Sequence, residues 1–229
     1  MSDPQNPMAE DPDVDGRPAD EIDFATGGVD DAKSAPDNRD VDGPLDEHEA
    51  NAVRPYVDLG GVKIVPREGL HLRLEVEEGT KRVVAVGLDY AGSTLQVQPF
   101  AAPRSTGLWH EIRAQIVQQI QRQGGTTREQ DGVFGPEVLA ELPVVAGGGE
   151  GGGKRLARFI GVDGPRWFLR GVISGAATVE GEAAEQIEDL FRSIVVVRGS
   201  MPMPPRDLIP LHMPANATAG QQKRQVAPE

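Results

Sequence analysis

Three features of the chain carry residue types that do chemistry elsewhere, and each lacks a member that the chemistry requires. Asp11-Pro12-Asp13-Val14-Asp15-Gly16 opens like a calcium-binding loop, in which alternating carboxylates and a glycine turn place oxygens around a hard cation. The bidentate glutamate due at the twelfth position is Ile22, and no apolar helices flank the loop, so a solvated acidic tail is the better reading. Gly148 to Lys154 has the glycine and lysine spacing of a phosphate-binding loop, whose backbone N–H groups cradle phosphates. Arg155 stands where a serine or threonine must hold magnesium, and a strand pattern follows instead of a helix, so this tract reads as a flexible hairpin loop. The four histidines, at 48, 71, 110 and 212, have no metal-ligand spacing. Cysteine is absent, which removes disulfides, thiolate nucleophiles and Cys-ligated zinc together. No GxSxG elbow and no Ser-His-Asp arrangement can be assembled, and Glu185, Glu188 and Asp189 read as the charged face of one helix. No catalytic residue, metal ligand or cofactor is therefore assigned, and the reading leans away from an enzyme.

The densest stretch runs from Gly161 to Gly171. Strand alternation puts Trp167, Leu169 and Ile173 on one face, and Arg166, Phe168 and Arg170 on the other. An arginine and aromatic face could pair phosphates and stack bases, with Lys154, Arg155 and Arg158 extending it. Charge argues against that. The first 54 residues hold 16 Asp or Glu against 4 Lys or Arg, while the other 175 hold 20 and 19. The acidic leader would compete with phosphate for the arginines, so nucleic acid is disfavoured and core aromatics beside paired arginines are preferred. The leader itself reads as a solubilising tail, with electrostatic mimicry of nucleic acid as its sharper alternative.

These residues need elements to position them, and the periodicity is mostly of period two. His71 to Val76 alternates strictly, and a Glu78-Gly79-Thr80-Lys81 turn joins it to Arg82 to Leu88 as a hairpin. Thr94 to Phe100 continues the meander, which a short strand at Val62 to Val65 precedes. Leu108, Ile112, Ile116 and Ile120 then recur every fourth residue, an amphipathic helix with Pro103, Ser105 and Thr106 before it and Gly124-Gly125 after it. Further strands are expected at Thr127 to Glu129, Val138 to Pro143, Arg155 to Val162, Arg166 to Ser174 and Ile194 to Val197, with a second helix over Glu182 to Arg192. The class is α+β, a mainly antiparallel sheet flanked by two amphipathic helices. The expected organisation is an acidic disordered leader over 1–54, one domain over 55–200, a proline-rich arm over 201–214 packed on it, and a disordered tail over 215–229. No apolar run approaches the roughly 20 residues of a membrane span, and the N-terminus lacks the basic and apolar parts of a signal peptide. A soluble cytoplasmic protein is expected.

Gln98 to Ser105, the Gly161 to Gly171 stretch and Arg198-Gly199-Ser200-Met201-Pro202-Met203-Pro204-Pro205-Arg206-Asp207-Leu208-Ile209-Pro210-Leu211 together resemble the actinobacterial domain-of-unknown-function family numbered 3710. The resemblance covers about residues 55 to 214 and implies no reaction and no catalytic residues. By strand order the domain is similar to the Mog1 and PsbP-like fold, which implies a binding or accessory role more than an enzyme. The leading functional reading is a non-enzymatic accessory or protein-binding module, whose arm, if released, would present Met203, Leu208 and Leu211 to a partner. The alternative is a small-ligand or enzymatic pocket between the sheet and the first helix, near Arg104, Trp109 and Trp167. Arg166 and Arg170 complete the candidate binding residues.

Overall fold

A computed structural model describes residues 31–143 and 153–214. The expected period-two runs form an antiparallel meander of β4 (His71–Val76), β5 (Val83–Tyr90) and β6 (Ser93–Ala101). After helix α2 (Trp109–Arg122) come β7 (Thr126–Gly132), β8 (Gly135–Pro143), β9 (Lys154–Asp163) and β10 (Trp167–Gly175). These seven strands make one sheet in the order β4-β5-β6-β10-β9-β8-β7, antiparallel throughout. Helix α3 (Glu182–Arg192) follows. A small second sheet joins β1 (Leu45–Asp46), β11 (Val195–Val196), β3 (Val62–Ile64) and β2 (Val57–Asp58) in that order. The α+β class and the dominance of antiparallel pairing hold as expected.

Alternation on the large sheet sends side chains to two separate cores. On one face Val86, Leu88, Leu95, Val97, Trp167, Leu169 and Ile173 pack under Ile187, Leu190 and Phe191 of α3 and under Val62, Ile64 and Val196 of the small sheet. On the other, Phe168 and Ala140 pack under Leu108, Trp109, Ile116 and Ile120 of α2. Trp109 stacks on Phe168 at 5.8 Å between centroids, and Phe168 on Phe100 at 6.1 Å. A Cβ on Gly161 would fall 2.5 Å from the Trp109 ring, so only glycine lets the helix seat its indole there. The part of this face formed by β4, β5 and β6 is polar instead. There Arg73 pairs Asp89 at 2.7 Å, Thr94 donates to Asp89 at 2.6 Å, and Gln96 bonds Glu75.

The expected leader boundary at residue 54 is incorrect. Residues 31–54 carry the short helix α1 (Arg39–Asp42) and β1, which pairs in parallel with β11. Arg39 lies 5.6 Å over the Trp167 ring and pairs Glu49 at 2.6 Å, while Asp46 accepts the Trp167 indole N–H at 2.9 Å. Composition misleads because this segment is held by hydrogen bonds and ion pairs to distant groups more than by its own apolar side chains. Residues 1–30, with the calcium-loop-like sequence, lie outside the described residues, as does most of the glycine tract before Lys154. Lys154 itself opens β9 and pairs Glu141 at 2.7 Å.

The segment after residue 200 lies extended along the first core. Arg206 N–H donates to Ala101 O at 2.7 Å, Ala101 N–H to Asp207 O at 2.8 Å, and Ile209 N–H to Pro99 O at 2.9 Å. Pro99 removes a donor from β6 on the side where Ile209 approaches, and its carbonyl takes the one bond offered. Further on, Gly61 N–H donates to Pro210 O and His212 N–H to Leu59 O, both at 2.9 Å, and Leu211 bridges both Gly60 and Val83. Ile209 and Leu211 are buried in the α3-side core.

Candidate functional site

The cover over the α3-side core stops before the sheet does. Strand β4 is an edge of the large sheet, and its outer side has no strand partner among the described residues. Its alternate residues Leu72, Leu74 and Val76 face the core side, yet only Leu72 and Leu74 are partly covered, and Val76 is 49% exposed. Across from them runs the last stretch of the arm, Pro210 to Pro214, with Met213 53% exposed. Between the two opens a groove of about 830 Å³, floored by Leu72, Leu74, Val76, Val83 and Leu211. That is the size of a small-ligand pocket, roughly 300 to 1,000 Å³. The rim is cationic: Lys81 and Arg82 come from the β4–β5 turn, and neither is in an ion pair among the described residues. The groove thus presents an apolar floor, an unpaired strand edge and two free cations to whatever enters.

The residues singled out in the sequence are not gathered in one place. Trp109 and Trp167 are both fully buried but on opposite faces of the sheet, because Trp167 faces α3 while α2 lies on the Phe168 face. Arg104 is exposed at the loop before α2. The expected pocket between the sheet and α2 is filled by the Trp109, Phe168 and Phe100 stack, and Trp109 Nε1 donates to Pro136 O at 2.6 Å. Arg170 bonds Gln98 and lies 5.7 Å over the Phe100 ring; burial pushes its pKa down. Arg158 turns to the opposite face, where it pairs Glu137 at 2.8 Å and Glu188 at 2.6 Å. The arginines therefore form no single face.

Arg166 donates to Gly199 O at 3.2 Å, beside Arg198. In the arm, Leu211 is buried, Leu208 bridges Phe100 and is half-buried, and Met203 is also half-buried. Sequence reasoning took Leu72, Leu74 and Val76 only as the buried side of a strand and passed over Lys81 and Arg82. The signal available was the strand's strict alternation followed, across the Glu77-Glu78-Gly79-Thr80 turn, by the basic pair Lys81-Arg82. What remained hidden was that the strand is an edge whose apolar side is left half covered.

Buried chemistry is concentrated in one other group. Asp163 accepts the N–H of Leu108 at 2.8 Å on Oδ1, and those of Ser34 at 3.0 Å and Trp109 at 3.3 Å on Oδ2. Burial pushes its pKa above the ordinary carboxylate value, against the pull of those N–H groups and of Lys33. Its oxygens are occupied by backbone, so it holds the start of α2 and not a substrate. No cluster of three or more His, Asp or Glu side chains suited to a metal occurs among the described residues. None of the described helices is long and apolar enough to cross a membrane.

A family profile described as a protein of unknown function, DUF3710, matches residues 43–220, well over half of the chain. Among solved structures the fold is similar to cyanobacterial PsbP (CyanoP) from Synechocystis sp. PCC 6803, at 13% identity and a TM-score of 0.35, over 67% of this chain and 99% of that one. No curated protein matches the sequence.

Proposed function

The chain belongs to the DUF3710 family of proteins of unknown function, and we propose that it is a non-enzymatic protein-binding module whose β4 groove takes an extended segment of a partner. The observation that carries this reading is the open edge strand beside an apolar floor with a cationic rim. A strand added along β4 would gain backbone hydrogen bonds, and its alternate apolar side chains would enter the groove over Leu72, Leu74 and Val76. Lys81 and Arg82 favour carboxylates at the segment's end, so the partner segment alternates apolar residues and is flanked by Asp or Glu. The domain already holds one extended apolar segment by the same means, since its own arm docks on Pro99, Ala101 and Gly61 through backbone bonds.

The test is selection of a display library of peptides about ten residues long on the full-length protein, with affinities compared by titration. Enriched peptides are expected to combine alternate apolar residues with acidic flanks and to shift the amide signals of residues 71–76. Val76→Asp, at a half-exposed position where the fold tolerates a charge, is expected to weaken them about ten-fold or more. Undiminished binding by Val76→Asp would overturn the reading. So would enrichment of nothing while 8-anilinonaphthalene-1-sulfonate saturates the groove, which would make it a site for small apolar anions.

A further inference from the structure

A second cleft, of about 310 Å³, lies where residues 46–48 meet Arg166 and residues 198–200. We propose that it binds the phosphate group of a small phosphate monoester, independently of the β4 groove. The warrant is an excess of unanswered cationic donors. Arg198 spends one guanidinium N–H on Met201 O at 2.9 Å, and its Nε is buried with no hydrogen-bond partner. Buried polar atoms are almost always paired, so an orphaned donor on a charged group calls for an acceptor that belongs there. Arg166, lining the same cleft, has only the 3.2 Å bond to Gly199 O. Neither arginine is in an ion pair among the described residues.

Two carboxylates line the cleft, and both are engaged elsewhere. Asp46 accepts the Trp167 indole at 2.9 Å and the His48 backbone N–H at 3.1 Å, while Glu47 pairs Lys63 at 2.8 Å. The charge of Glu47 is thereby met by Lys63, and Asp46 is held by the indole and the backbone with no ion pair to either arginine. What the cleft has to spare is planar forks of N–H donors, which match the oxygens of a phosphate better than any neutral acceptor does. Asp46 and Glu47 line the same cleft, and their carboxylates can accept hydrogen bonds from hydroxyls on the rest of the ligand, which favours an ester of a small hydroxylated molecule over a bare apolar anion.

Trp167 reports on the site, because its indole N–H bonds Asp46 at the cleft wall, and Trp109 supplies an internal control on the opposite face of the sheet. Adding inorganic phosphate to the full-length protein at constant ionic strength is expected to shift the Trp167 indole and Arg198 Nε–H signals saturably in two-dimensional NMR spectra. The Trp109 indole signal is expected not to move. Arg198→Gln should weaken the titration about ten-fold or more, as expected for loss of a charged donor. Arg166→Gln, which gives up a single long bond, provides the same reading should Arg198→Gln fail to fold. A drift that matches sodium chloride and never saturates, or equal affinity in a folded arginine variant, would overturn the assignment.

Discussion

The large sheet carries an apolar core on each face, and the two cores are closed differently. Under α2 the closure is complete. Trp109 is fully buried against Gly161 and Phe168, its indole N–H is bonded to Pro136, and an ion pair from Arg113 to Glu129 at 2.6 Å pins the helix to β7. Under α3 the closure is assembled from pieces: one helix, four very short strands and the arm. Those pieces reach β5 but not the far side of β4, and Val76 and Met213 are left half exposed at the gap. A single continuous helix seals what it covers, because its side chains come at fixed spacing and interlock with the strands beneath. A patchwork has seams, and a seam over an edge strand is where a further chain can add. The proposed docking groove therefore sits at the margin of the face with the larger core, and not under α2, where Trp109 fills the space that the sequence offered as a pocket.

The largest effect that tests this contrast is Trp109→Ala, expected to cost about 4 kcal/mol of unfolding free energy through lost burial and the cavity left behind. Urea denaturation with an unchanged slope checks it. Val76→Ala, at the seam, should cost less than about 0.5 kcal/mol; comparable losses at the two positions would break the distinction between a sealed and an open face. Next in size is Ile209→Ala, in the arm, at about 3 kcal/mol. Ile209 is 3% exposed, and its backbone N–H ties the arm to Pro99. If Ile209→Ala leaves the urea midpoint unmoved, the arm is not part of the cover, and the groove is not bounded in the way described.

What the sequence made legible follows the range of the interactions involved. The period-two runs, the four-residue recurrence from Leu108 to Ile120 and the second helix over Glu182 to Arg192 are local patterns, and they became β4 to β6, α2 and α3 with small changes at their ends. The polar β7 ran longer than expected, Thr126–Gly132, since an edge strand needs no apolar alternation to hold its ladder with β8. Residues 31–54 could not be read locally. Arg39 and Asp46 look like any solvated charges until Trp167, more than a hundred residues on, supplies the ring and the indole N–H they engage. The two tryptophans illustrate the same limit. Alternation placed Trp167 on the Leu169 face, but nothing in the chain said which face α2 would take, so pairing Trp109 with Trp167 joined residues that the sheet separates. The groove depends on His71–Val76 and Pro210–Pro214 meeting, which no spacing encodes.

The smallest effect concerns one proton on the sealed side. Ser105 and Thr106 are start signals for α2, but the side chain that caps the helix is Asp163, which takes the N–H groups of Leu108 and Trp109 from across the core. Because burial raises its folded pKa, the native state keeps a proton at pH values where the unfolded chain has already lost it. The stability from this group is then full below about pH 4, the unfolded value, and is lost as pH rises through the folded one. The amide of an Asp163→Asn protein keeps one acceptor oxygen and has no acidic proton to lose. Unfolding free energies measured across the acid range should therefore fall for the wild type relative to Asp163→Asn as pH rises, by about 1.4 kcal/mol for each pH unit that separates the two pKa values. Val76→Ala, remote from this carboxyl, should track the wild type at every pH. A wild type that gains on Asp163→Asn with rising pH would mean that the three N–H groups outweigh burial. The sealed face would then be held by a charge that acid removes.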